Sequence, residues 1–155
     1  METVTHIRGL FEYDDWANRR TIAALEIAPS ERSLRILAHI LITKREYFER
    51  FNGKDSTGFN FWPDLTLDEC RQLSETTTRD YKQIVNDSDE SGLDRIARYK
   101  TSEGVPYENT YRELLTHVLI HASVHRGNIV LKMREEGLEP PKIDYIIYLR
   151  ELSGK

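Results

Sequence analysis

The sequence has one cysteine, Cys70, among 155 residues. A lone thiol cannot form an internal disulfide, so a stapled secreted framework is excluded. Long hydrophobic runs are missing as well. The longest near-apolar stretch, Leu34 to Ile42, is broken by Arg35 and His39, and it falls far short of the roughly 20 residues that a membrane span requires. There is no basic excess: 22 Lys and Arg stand against 26 Asp and Glu, a formal net charge of −4. Binding to a phosphate backbone calls for a basic face instead. The imbalance is too mild, and the apolar content of 39% too high, for a disordered chain. Met1 to His6 show neither the basic nor the apolar part of a signal peptide. The expectation is a cytoplasmic protein with neither nucleic acid nor membrane among its partners.

Proline and glycine are scarce, at 5 and 8 residues, and their scarcity makes the breaks legible. Pro29 ends a first segment. Residues 53–63 form a loop, 87–92 a second, acidic loop, and Gly104-Val105-Pro106 a third break. Gly137, Pro140 and Pro141 close the last long segment. Between the breaks lie four stretches of about 22 to 26 residues, each long enough for a bundle helix. Ser30 is placed to start the second helix. Thr66 with Glu69, and Thr110 with Glu113, have capping-box spacing before the third and fourth. Residues 93–107 alternate roughly between polar and apolar, which fits two short strands or an extended crossover. A short helix is expected over about 144–152, after Pro141. The resulting fold is all-α: an up-down four-helix bundle with a long connection between helices 3 and 4 and a short C-terminal helix. It forms a single domain over 1–155.

The helical wheel puts polar residues where core should be. In the first segment Ile7, Phe11, Asp14, Asn18, Thr21 and Leu25 share about 80° of arc. Asp14 and Asn18, in the middle of that stripe, are candidates to touch metal-ligating imidazoles or substrate. A rotated helix, with Leu10, Ala17 and Ala24 inward, is the alternative. Trp16 lies opposite the stripe and should pack under a loop or in a subunit contact. In the fourth segment His117, His121, His125 and Asn128 align within about 40°, with apolar residues on both sides, a pattern that predicts an inward-facing polar stripe. Buried imidazoles need partners, and hydrogen bonds or a metal ion would serve.

One ion cannot engage all three of these histidines. His117 and His125 are about 12 Å apart along a helix axis, and an imidazole reaches a metal only about 5 Å from its Cβ at a bond near 2.0–2.1 Å. Either His117 and His121 or His121 and His125 share a site, with any third ligand from another helix. His39, inside the apolar run, is the candidate for that third ligand, although it sits beyond the edge of its helix's main apolar arc.

At these residues the chain resembles the DinB superfamily of DinB/YfiT-like metalloenzymes. Tyr13 to Asn18 (YDDWAN) is similar to the family's first-helix motif and Leu37 to Leu41 (LAHIL) to its second. Leu114 to Gly127 (LLTHVLIHASVHRG) resembles its H-x3-H-x3-H-R-G signature, and Leu138 to Tyr148 (LEPPKIDYIIY) its closing pattern. The resemblance implies a divalent metal, zinc or nickel, on His39, His121 and His125, with His117 a non-ligating neighbour. His117 and Asn128, like Asp14 and Asn18, are candidates to support the ligands or touch substrate, and Asn128 stands where the family commonly has glutamine. The resemblance also implies a homodimer and metal-dependent chemistry on a small molecule. A low-molecular-weight thiol or a water would be activated for transfer or hydrolysis, as in a thiol S-transferase or a hydrolase. The alternative is a non-catalytic, stress-associated bundle in which the metal is structural.

Further expectations concern the supporting residues. Arg126 points away from the histidines and suits an ion pair. Asp144 caps the last helix or holds Arg126. Gly127 permits close helix packing, and Cys70 is ordinary packing or surface.

Overall fold

A computed structural model describes residues 2–154. Four long helices carry the chain: α1 (Thr3–Ile27), α2 (Glu31–Arg50), α3 (Leu67–Asn86) and α4 (Tyr111–Glu135). Between α3 and α4, a 3-10 turn at Gly92–Asp94 leads into an antiparallel hairpin of β1 (Ile96–Lys100) and β2 (Pro106–Thr110). Its register sets Ile96 against Thr110 and Tyr99 against Tyr107. A short α5 (Tyr145–Leu152) ends the fold. The bundle, its long third connection and its closing helix are as expected, and 93–107 resolves as strands.

The helix starts follow from their caps. Ser30 accepts a hydrogen bond from the Ser33 amide. Thr66 with Glu69, and Thr110 with Glu113, each complete a reciprocal capping box. These contacts satisfy amides that the first turn leaves open. Gly137 ends α4 at φ 73°, a conformation that disfavours any side chain.

Around the bundle the order is α1, α3, α2, α4, so α1 and α2 face each other across the diagonal despite their short connection. Two apolar clusters fill the interior. One gathers Phe11, Tyr81, Leu115 and Val118 near the hairpin. The other gathers Ile22, Leu37, Leu41 and Ile129. On α1 and α2 a buried polar layer of Asp14, Asn18 and Lys44 separates them, and Arg126 of α4 joins it.

The α1 stripe is buried as read, Asp14 and Asn18 included. Trp16 packs against Tyr148 of α5 at 5.4 Å between ring centroids, and its indole N–H donates to Glu151. Cys70 is fully buried.

Two corrections concern α4 and one concerns Asp144 before α5. Its polar stripe is not inward: His121 and His125 are half-buried, and His117 and Asn128 are exposed. The helix buries Leu114, Val118, Ala122, Arg126 and Ile129 instead. Ile120, Val124 and Leu131 are 59%, 60% and 51% exposed. Apolar residues on both flanks of the stripe reflect a second, outer apolar face rather than all-round burial. Gly127 lies on that outer face, and a Cβ there would meet no atom within 4 Å, so it makes no close packing within the chain. Asp144 forms no side-chain cap at α5, and the carboxylate that holds Arg126 is that of Asp14.

Candidate metal centre

The seam between α2 and α4 brings together three imidazoles far apart in sequence. His39, His121 and His125 each offer a ring nitrogen, all within 4.8 Å of one another. Nε2 of His39 and Nε2 of His121 are 3.1 Å apart. His125 approaches both rings, with centroids 4.6 Å and 4.5 Å away. Spacing i, i+4 puts His121 and His125 on one face of α4, and α2 supplies the third ring because it packs directly on α4.

The loop after α2 orients His39. Its Nδ1 lies 2.6 Å from the carbonyl of Phe61. A carbonyl only accepts, so Nδ1 carries the proton and Nε2 keeps its lone pair for the cluster. A hydrogen bond on the remote nitrogen is how proteins orient ligand histidines. Thr43, one turn further along α2, is 3.5 Å from the same Nδ1. Trp62 stacks on His39 at 3.7 Å and 2° between planes, and turns an edge to His125 at 5.9 Å.

Electrostatics favours neutral rings. Burial, and then the crowding of His125, His39 and His117, pushes His121 down to about 3. Burial lowers His39 against the opposing Phe61 hydrogen bond, and burial with His39 nearby lowers His125. At neutral pH all three present lone pairs, the form in which imidazole binds a divalent ion. The nitrogen-only donor set, its convergence and the fixed tautomer of His39 all fit such an ion.

His117 stays outside the cluster, its ring 5.7 Å from that of His121 and 4.9 Å from that of Tyr47. Burial and the Arg50 charge lower its pKa. Asn128 is exposed on α4. Asp14 and Asn18 do not touch the histidines. Arg126 donates to Asp14 at 2.6 Å and to Asn18 at 2.9 Å, and Lys44 to Asp14 at 2.8 Å. Sequence reasoning missed Trp62, the Phe61 carbonyl and Thr43. The aromatic density of residues 59–62, Phe-Asn-Phe-Trp, was the one available signal.

The fold and the cluster together define a class: a helical bundle with a three-histidine group, suited to a divalent ion, at a seam between two helices. Within that class the chain belongs to the DinB family, whose model matches residues 1–152. It is 25% identical to Protein DinB of Bacillus subtilis, covering 90% of this chain and 91% of that protein. Uncharacterized protein YizA of the same organism is 24% identical over 84% and 83% of the two chains. Among solved structures, a DinB-like protein from Bacillus cereus superposes with a TM-score of 0.57 at 16% identity, over 86% of this chain and 92% of its own. A second, YjoA from B. subtilis, gives 0.54 at 22% identity, over 90% and 94%.

Trp62 should report on the site. Nickel(II) added to the protein is expected to quench Trp62 emission and saturate at one equivalent, whereas Trp62→Phe loses the response. An unaltered spectrum with nickel bound would contradict the stacked geometry.

Proposed function

We propose that the protein is a metal-dependent enzyme that uses His39, His121 and His125 to hold a zinc or nickel ion and transfers a low-molecular-weight thiol to, or hydrolyses, a small-molecule substrate. The observation that carries this reading is the donor set: three neutral imidazoles converge, and the group contains no cysteine, aspartate or glutamate. Closed structural zinc sites take four protein ligands, while catalytic sites take three and keep a position open. A divalent ion on three neutral nitrogens supplies Lewis acidity, which lowers the pKa of a thiol or water. The chain's own residues do the rest. The Phe61 carbonyl holds the His39 ring, and Trp62 stacks on one face of it.

The test loads the protein with zinc or nickel and assays a panel of small thiols against a generic electrophile, beside a panel of activated esters. Metal-dependent turnover with one thiol supports transfer, and turnover of esters alone supports hydrolysis. No turnover, together with collapse of the fold on chelation, favours a structural metal instead.

A homodimer forms part of the proposal. The outer face of α4 is self-complementary about the point between Ser123 and Val124. An antiparallel second copy sets Ile120 over Gly127, where a Cβ has open space, Thr116 over Leu131, and Glu113 beside Arg134. These positions fall within about 50° of one line on the helix. The contact would cover Ile120, Val124 and Leu131 and would border the histidine seam. Ile120→Glu is expected to convert the dimer to a monomer in sedimentation analysis. A monomeric parent chain would remove the proposal.

A further inference from the structure

On the side of the bundle opposite the histidine seam, α1, α3 and α5 enclose a cavity of about 380 Å³. That is the size of small-ligand sites, roughly 300–1,000 Å³. Its walls are aromatic. Phe11 and Tyr81 stack with centroids 5.0 Å apart, and Trp16 and Tyr148 meet at 5.4 Å. Tyr81 is fully buried behind Phe11, which leaves Phe11, Trp16 and Tyr148 to meet a ligand, and three rings in one small cavity favour a flat one, because offset and edge contacts between rings add to area burial.

Its charge is unlike that of the chain. Arg8, Arg19, Lys44 and Lys82 line the cavity against Glu12 and Asp15, in a sequence of net charge −4. Some of these charges are already matched. Arg19 and Thr78 engage Asp15, and Asp14 engages Lys44. Among the described residues Arg8 bonds only the neutral side-chain oxygen of Asn86 and Lys82 forms no ion pair. Two cations thus remain against the single acid Glu12.

We propose that this cavity is a second binding site, for a small aromatic anion, with its ring among Phe11, Trp16 and Tyr148 and its carboxylate or sulfonate at Arg8 and Lys82. None of these residues belongs to the histidine cluster, so the proposal stands apart from the metal chemistry.

The test titrates 1-anilinonaphthalene-8-sulfonate into the intact folded protein and competes it with 1-naphthoate and with neutral 1-naphthylmethanol. One saturable site is expected, displaced by 1-naphthoate and much less readily by the alcohol. The double variant Arg8→Glu, Lys82→Glu alters two side chains outside both core clusters. It should keep the parental circular dichroism and bind the dye about ten-fold or more weakly, as loss of a charged contact implies. Arg98→Glu, an exposed charge reversal on the hairpin away from the cavity, should leave dye binding unchanged. The proposal is overturned if no saturable site appears, if the double variant binds as tightly as the parent, or if Arg98→Glu weakens binding as much as the double variant does.

Discussion

Replacing His121 with alanine is expected to remove stoichiometric zinc and nickel binding and, with it, all stabilisation by metal. The parent chain should bind one ion. At a free-ion concentration of about 1,000 times Kd, binding to the folded state alone stabilises it by about 4 kcal/mol. For a chain of this length, each kcal/mol shifts Tm by about 2–4 °C, so saturating metal should raise Tm by about 8–16 °C. His121→Ala leaves two ligands. Loss of an outer hydrogen-bonding partner alone commonly costs about 10–100-fold in metal affinity, so loss of a ligand should cost at least that much. Differential scanning fluorimetry with and without metal reads both effects. An undiminished metal-induced shift in His121→Ala would place the ion elsewhere.

The same experiment separates a catalytic ion from a structural one. His121 is half-buried and belongs to neither apolar cluster. The cores of both clusters close without it, and α2 and α4 share one of them through Leu37, Leu41, Ala122 and Ile129, which are buried regardless of an ion. Chelated parent protein is therefore expected to stay folded and cooperative, with the Tm of His121→Ala. A parent chain that unfolds on chelation would support the structural role.

Much of this fold was legible because its punctuation is local. Ser30, Thr66 and Thr110 cap from their own side chains, and Gly137 ends α4 through its own φ. The ligand set was legible in a narrower way. The i, i+4 spacing and the length limit that allows one ion only two of the three α4 histidines are properties of one helix, and the family resemblance chose His121 with His125 over His117 with His121. His39 was a candidate from its place in an apolar run, and the family resemblance strengthened it, because the helix pairing that brings it in depends on packing between elements. The outer face of α4 was misread for a related reason. A wheel records which residues share a side, and it cannot say whether water, the bundle or a second chain lies there. Trp62 and the Phe61 carbonyl escaped because a loop has no period, and a backbone carbonyl has no signature in sequence at all. Asp14 is buried, as the α1 stripe predicted, but it meets cations rather than the imidazoles. Two cations reach it, Lys44 from α2 across the diagonal and Arg126 from the adjacent α4, 30 and 112 residues away.

Asp14→Ala is expected to cost the most stability of any single polar substitution in the bundle. Asp14, Lys44 and Arg126 are each at most 2% exposed, and Arg126 Nε has no partner. Removing the carboxylate strands two buried cations, a change that typically costs about 3–5 kcal/mol out of a total stability of about 5–15 kcal/mol. Urea unfolding should show the loss as a lower midpoint. Replacing all three residues together, Asp14→Leu with Lys44→Met and Arg126→Met, leaves no uncompensated charge and should recover most of the loss. A single variant as stable as the parent would mean that water or another group already neutralises the cations. The pH dependence follows from the same contacts. Burial raises the Asp14 pKa, but Lys44 and Arg126 together outweigh it and hold it below its ordinary 3.8. A depressed carboxyl contributes stability above its unfolded pKa and loses it as pH falls through the folded one. The gap between parent and Asp14→Ala should therefore be full at neutral pH and shrink below about pH 4, as the parent takes up a proton that the variant has no carboxylate to bind.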